Sequence, residues 1–385
     1  ILPCLSVRSA LDLYLLVQNY PPGSEVIMSA INIPQIAEVV KHHNLTIIPL
    51  DISIETVSPK INLLESLITP KTVAVLVAHL YGKRIEMSPI LKIAKTFNIS
   101  VIEDCAEYFQ GLNYLSDPES DVALYSFGSI KFFTSFGGGV AIIKNQHVHH
   151  KMMEIQNKYP VQSRQSYSQK VFKLYLWHKV QTSPTLITLF IKLCLSLGYD
   201  YQDVFVKMLR GFPHNLIDNI RYQPSTSLLS MMLHRQSTID LEDLAKQRTK
   251  GLYVLNRLPP EIETVGRLCD MNNFWLFPIL VENPDLFVAT IRALGVDAYR
   301  GATQLNLIEE DRFKSQNGEQ IQPKTTTDVM FYPHEAKYLI DHVVYLPVHK
   351  HVPYPVLDEI IKHAKNALNI NKNHFKRKPA ITSKL

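Results

Sequence analysis

Four cysteines in 385 residues (Cys4, Cys105, Cys194 and Cys269), with no Cys-x-x-Cys pair, leave nothing for a disulfide framework or for the common zinc spacings. That scarcity suits a reducing compartment, and a cytoplasmic location is expected. An excess of charge of one sign is also lacking. Forty basic against 35 acidic residues give a net charge of +5, too mild and too dispersed for nucleic acid to be the main partner. The chain opens at Ile1 without a basic-then-apolar leader, so no signal peptide is expected, and without an initiator Met, which points to a trimmed N-terminus. No apolar run crosses a bilayer comfortably: TSPTLITLFIKLCLSLG (182–198) is too short and Lys192 interrupts it. Internal repeats and low-complexity blocks are absent. What is present is a chain 46% hydrophobic and 19% charged, with enough apolar material for a large core in two or three domain-sized units.

Residues 25–144 repeat one pattern. EVIMSAI is a short apolar run of strand type, PQIAEVVKHH carries Ile36, Val39, Val40 and His43 at helical spacing, and LTIIPL is again a strand. VAVLVAHL (73–80) is a continuous apolar run. Ser88-Pro89 then reads as the N-cap and first turn of a helix, and ISVIED (99–104) returns as a strand. DVALYSF (121–127) and GVAII (139–143) add two more. Strands apolar on both faces and separated by helices imply a mostly parallel central sheet sandwiched by helices, an α/β fold. The pattern changes past residue 150. The run 182–198 reads as a helix with Thr185, Thr188, Lys192 and Ser196 on one narrow polar stripe, either buried in a subunit or domain contact or lying in a membrane interface. Residues 225–258 read as one long helix. FWLFPILVE, DLFVATIRALGV and PYPVLDEIIKHAKNAL supply a second, smaller α/β unit, and the tail from about 370, with Lys376-Arg377-Lys378, reads as a solvated disordered end.

Ligands of such sheets bind outside the carboxyl ends of the strands. Asp104, Ser126, Lys131 and the run Gly137–Gly139 converge there. A lysine in the apolar, aromatic setting YSFGSIKFF loses hydration, which favours the neutral, nucleophilic amine; a loop lysine is the plainer reading. Asp104 with Glu107 three residues on forms a helix capping box, and the same carboxylate could hold a ring nitrogen protonated. Ser126 and the backbone over Ser6–Ser9 are candidate phosphate contacts. The glycine run is followed by no Gly-Lys-Ser/Thr, so it is a turn for close backbone approach and not a Walker loop. Arg300 could bind a carboxylate, or serve as a surface ion-pair partner.

Strand-Glu-Asp, then strand-Ser-x4-Lys, then glycines and another strand resembles the DegT–DnrJ–StrS family of pyridoxal-phosphate enzymes. The resemblance starts at SVRSALDL, takes in EVIMSAINIPQ, TPKTVAVLVAHLYG, VIEDCAE and the lysine segment, and extends more softly to YLPVHKHVPYPVLDEII. It implies a fold-type-I transferase: a large cofactor-binding α/β domain over 1–165, a helical insertion over 166–215, a connecting helix over 216–250, a smaller C-terminal α/β domain over 251–369 and a basic tail over 370–385. It further implies Lys131 as the lysine that forms the imine with pyridoxal 5'-phosphate and shuttles the proton. Asp104 would be partner of the pyridine nitrogen, Ser126 a phosphate ligand, and Glu107 the residue near the phenolic oxygen. The family's Ser-Gly-Thr phosphate loop becomes Ser6-Val7-Arg8, where Arg8 can pair with phosphate. The aromatic residue that stacks on the ring becomes Ile33. Asn219-Ile220-Arg221 is similar to an Asn-x-Arg stretch that reaches the neighbouring subunit's site, which implies a homodimer with shared active sites. Relatives with histidine in place of the lysine act as dehydratases. Retention of Lys131 implies an aminotransferase, taking an amino group from an amino acid such as glutamate to a keto sugar or related ketone, in nucleotide-sugar and polysaccharide biosynthesis. Two alternatives stay open: a cofactor-binding protein of other or lost activity, since Val7, Ile33 and Glu107 depart from the pattern, and a non-enzymatic, membrane-associated interaction protein.

Overall fold

The alternation of strand and helix is present from the first residues. A computed structural model describes residues 1–111, 116–201, 204, 215–301, 305–310 and 331–377, the side chains of 371–377 aside. Strand β1 (Leu2–Cys4) feeds helix α1 (Val7–Gln18), and β2 (Glu25–Ser29), β3 (Ile31–Asn32), α2 (Pro34–His42), β4 (Thr46–Leu50) and α3 (Ile61–Leu67) follow. Then come β5 (Thr72–Ala78), α4 (Ser88–Phe97), β6 (Ser100–Asp104), β7 (Val122–Ser126) and β8 (Gly139–Ile143). Seven of these strands form one sheet in the order β1-β8-β7-β6-β5-β2-β4. All neighbours from β7 to β4 are parallel, and β8 runs antiparallel between β7 and β1. The continuous apolar runs are explained by burial on both faces: Val26, Met28, Ala74, Leu76, Ile102 and Leu124 pack under α1 and α2, while Ile27, Val75, Val77 and Val101 pack under α3 and α4.

The chain continues through α5 (Gln146–Gln156), α6 (Arg164–Thr182), α7 (Pro184–Ser196), α8 (Leu216–Ile220), α9 (Thr226–Ser237) and α10 (Leu241–Leu255). It then forms β9 (Glu263–Thr264), β10 (Pro278–Leu280), α11 (Pro284–Ala293), β11 (Asn306–Leu307), α12 (His334–His342), β12 (Val343–Tyr345) and α13 (Tyr354–Arg377). A small antiparallel sheet, β12-β10-β9, packs Ile279 and Val344 against Phe287, Ile291, Leu357 and Ile360 from α11 and α13. A shared core of Ala30, Tyr81, Val265, Leu280 and Tyr345 joins it to the large sheet.

Five expectations are corrected. Met87, not Ser88, is the N-cap of α4, because Ser88 Oγ is engaged with Glu86 Oε1 at 3.3 Å. The long helix over 225–258 is two, α9 and α10, the second restarted by Asp240, whose side chain accepts from the Glu242 N–H. Of FWLFPILVE only Pro278–Leu280 is strand, since Phe274 takes a positive φ and Asn272 and Asn273 accept the N–H groups of Phe274 and Trp275 in turns. No helix follows Asp104, so the capping box is absent. Asp104 Oδ1 accepts from the Ala106 N–H, and Glu107 accepts from the Tyr81 N–H instead of reaching back. The tail is not disordered from 370: α13 runs on to Arg377. Residues 378–385 and the stretch 205–214 of the expected insertion lie outside the described residues.

Candidate active site

Five parallel strands, β1, β2, β5, β6 and β7, deliver their carboxyl ends to one edge of the sheet, and a cavity of about 160 Å³ opens there. Arg8, Ile33, Asp104, Glu107, Ser126 and Lys131 all line it. Asp104 is the last residue of β6 and Ser126 the last of β7, which is why the two acceptors face the same space. Ser6 caps α1, its hydroxyl accepting from the Ser9 N–H, so the amino end of a 12-residue helix points at the cavity. A Cβ on Gly139 would lie 2.6 Å from the Ser6 carbonyl carbon and 2.7 Å from the Val7 nitrogen. The glycine run therefore lets β8 pass against the start of that helix. Val7 is the first residue of α1 and takes no positive φ, so glycine is not needed at that position.

Lys131 Nζ sits between a carboxylate and a ring: 4.0 Å from Glu107 Oε1 and 4.5 Å from the centroid of Trp275. Burial lowers its pKa below the ordinary lysine value. The Glu107 and Asp104 charges oppose that shift and Arg8 adds to it. Asp104 is 6% exposed, and burial raises its pKa. The Ala106 N–H at 3.1 Å and Asn32 Nδ2 at 3.3 Å hold it back, and the charge of Lys131 contributes. Glu107 is likewise pushed up by burial, against the pull of Lys131 and the Tyr81 N–H at 2.9 Å. Burial also lowers the Arg8 pKa to about 10, with Asp104 opposing, and Arg8 donates to Gln35.

Asn219 is not in this cavity. It lies exposed on α8, donating to the Asn215 carbonyl at 3.0 Å. Its neighbour Arg221 clamps the buried Asp12 of α1 with two hydrogen bonds of 2.9 Å, and His43 adds a third contact at 3.0 Å. Arg300 is a surface partner of Asp285 and of the Asp341 carbonyl. The sequence reading missed Trp275, hidden in an apolar run taken for a strand. It also missed Tyr167 and Lys170 of α6, which line the cavity wall beside Gly137. Their spacing of three on one helix face, inside the expected helical insertion, was the available signal. Behind Asp104, buried His79, Glu103 and Cys105 lie within metal-ligating reach of one another. However, His79 Nδ1 accepts the Ile85 N–H at 3.0 Å, so the ring proton is on Nε2 and donates to Glu103 at 3.0 Å. Both imidazole nitrogens are thereby occupied.

The residues present fit pyridoxal phosphate. A protonated ring nitrogen would give desolvated Asp104 the cation its burial demands. An amine whose pKa burial lowers lines the same cavity, and Ser6, Arg8, Ser126 and the start of α1 supply donors for a phosphate.

The architecture is shared with solved structures of an aminotransferase and of a dehydratase. The crystal structure of the aminotransferase TlmJ from Streptoalloteichus hindustanus superposes with a TM-score of 0.67 over 96% of this chain and 86% of its own, at 13% identity. The Escherichia coli GDP-4-keto-6-deoxy-D-mannose-3-dehydratase with bound hydrated PLP gives 0.63 over 94% and 87%, also at 13% identity. More specifically, residues 3–179 match the model of the DegT/DnrJ/EryC1/StrS aminotransferase family, the family read from the motifs. GDP-perosamine synthase of Caulobacter vibrioides is 34% identical over 152 residues, 39% of this chain and 41% of that protein. UDP-2-acetamido-2-deoxy-3-oxo-D-glucuronate aminotransferase of Pseudomonas aeruginosa is 34% identical over 148 residues, 37% and 41% respectively. The chain thus spans about two fifths of the length of the curated relatives it matches.

Proposed function

We propose that the chain is a pyridoxal-phosphate-dependent aminotransferase that moves an amino group from an amino acid, glutamate in the simplest case, to the ketone of a nucleotide-linked keto sugar. The observation that carries this reading is the meeting of Lys131 and Asp104 in one cavity, with burial lowering the lysine's pKa and raising the aspartate's. Two relatives matched over about two fifths of the chain are named as aminotransferases of UDP-linked keto sugars, which supports the acceptor class.

When bound, the cofactor supplies an aldehyde that takes up the amine and a ring that accepts the electron pair left on the donor's Cα. Lys131 Nζ would hold the cofactor covalently and, when free and neutral, would serve as the base that moves the donor's Cα proton. Glu107, 4.0 Å from Nζ, holds the ammonium while Lys131 is protonated. Asp104, fixed by Asn32 and the Ala106 N–H, would keep the ring nitrogen of a bound cofactor charged. Ile33 gives apolar packing from the end of β3. Asn219 lies away from the cavity of its own chain, and we place it in the site of a second copy, in a homodimer. The four free cysteines favour a reducing, cytoplasmic setting.

Borohydride reduction of the purified protein with pyridoxal phosphate, followed by peptide mapping, tests the anchor. The cofactor mass is expected on the peptide containing Lys131, and Lys131→Ala should lose both that label and the amino-donor-dependent bleaching of the visible band. Label on a different lysine, or donor-dependent turnover in Lys131→Ala equal to wild type, would refute the assignment.

A further inference from the structure

Helices α6 and α7 form a hairpin closed on its inner side by Trp177 against Phe190, ring centroids 4.8 Å apart and edge-on. Of α7 only Cys194 is buried. Its residues fall into three stripes. Ile187, Phe190, Ile191 and Cys194 turn toward α6; Thr185, Thr188, Lys192 and Ser196 form the polar stripe; and Leu186, Leu189, Leu193 and Leu197 form a third, exposed at 46%, 64%, 56% and 62%. α6 adds exposed Phe172, Tyr175 and Leu176. The charge carried by the hairpin itself has one sign, and Asp200 just beyond it is paired to Arg292 at 3.3 Å. From Ile155 to Tyr199 the sequence holds six lysines and arginines and not one aspartate or glutamate.

A twofold contact between two copies would bring bases onto bases, because an isologous interface sets each patch against itself. Among the described residues no helix is long and apolar enough to cross a membrane. A leucine stripe flanked by lysines and ringed by tyrosine and phenylalanine, with no acid in α6 or α7, is the complement of an anionic bilayer surface. We propose that the α6–α7 hairpin docks on membranes carrying anionic phospholipids, with the leucines of α7 in the acyl boundary and Lys173, Lys179 and Lys192 at the head groups. This surface is a property of the hairpin and does not rest on the assigned chemistry.

Flotation of the full chain with phosphatidylcholine vesicles, with and without phosphatidylglycerol, tests it. Binding is expected only with phosphatidylglycerol and should weaken with salt. Replacing Lys173, Lys179 and Lys192 together by Gln should lower the partition coefficient about 100-fold. Leu189→Ser with Leu193→Ser should abolish flotation, with the molar mass in solution and the helical circular dichroism unchanged. Equal binding to neutral vesicles, or no binding to either, overturns the proposal. So does a fall in molar mass in the leucine variant, which would identify a second copy as the occupant.

Discussion

Lys83 is a second interior lysine, and its electrostatics can be tested apart from catalysis. It is 2% exposed. Its Nζ lies 5.9 Å from the Phe274 ring centroid, and its stem fills the space left by Gly266, where a Cβ would come within 2.2 Å of Cε. Burial lowers its pKa from 10.5 to about 8, with only the Cys269 thiol pulling the other way. The folded value is below the unfolded one, so between these limits the unfolded chain binds more protons and stability rises with pH. A difference of about 2.5 units at 1.36 kcal/mol each corresponds to a cost of about 3 kcal/mol near pH 7, falling to about 1 kcal/mol at about pH 9.5. Lys83→Met keeps the apolar stem and removes the ammonium, so it should stabilise the protein by those amounts at those two pH values in urea unfolding. A stability gain that is the same at both would refute the desolvation argument, and a loss at neutral pH would show that the ammonium has a partner. The same variant serves the cofactor question, because Lys83 lies outside the cavity that holds Lys131 and its removal should leave the borohydride label in place.

Two further outcomes follow from the packing. Gly139→Ala would push β8 off the first turn of α1 and should cost about 1–3 kcal/mol in denaturant unfolding, with weaker pyridoxal-phosphate binding by fluorescence titration; unchanged affinity would separate the helix start from the phosphate site. Asp12→Ala strands Arg221 and should destabilise by about 3 kcal/mol. Hydrogen bonds from His43 and Arg221 outweigh burial and hold the Asp12 pKa below 3.8, so its contribution is present above that value and is lost as pH falls through the folded pKa. A wild-type minus variant difference in stability that does not shrink on acidification below about pH 4 would contradict this.

The large sheet was legible because each strand announced itself locally. VAVLVAHL is apolar at every position but His79, and in ISVIED Val101 and Ile102 are buried in cores on opposite faces, as a strand covered on both faces requires. The smaller unit was not, since its strands are two or three residues long and their apolar flanks, such as Phe274 and Phe277, are core residues held by turns. The helix break at 238–240 was equally hidden. Thr238 and Ile239 do not forbid a helix, and the break is made by Asp240 capping a new one.

For the site, the division falls between what a strand end fixes and what a distant segment brings. Asp104 and Ser126 occupy their positions because they end adjacent parallel strands, and that rule needs no coordinates. Trp275 reaches Lys131 from 144 residues further along the chain (275 − 131), and Lys170 from a helix whose start carries only a serine cap. No local spacing encodes the approach of Trp275, and for Lys170 it offers only a place three residues after Tyr167 on one helix face. The capping box failed for the complementary reason. Asp104 and Glu107 have the right spacing to start a helix, but only Asp104 Oδ1 stays local, on the Ala106 N–H, while Asp104 Oδ2 and Glu107 go to Asn32 and to the Tyr81 N–H, partners 72 and 26 residues away in sequence. A motif that would satisfy its own backbone has instead been turned toward the cavity, and the burial this imposes on two carboxylates facing Lys131 is what gives the site its charge balance.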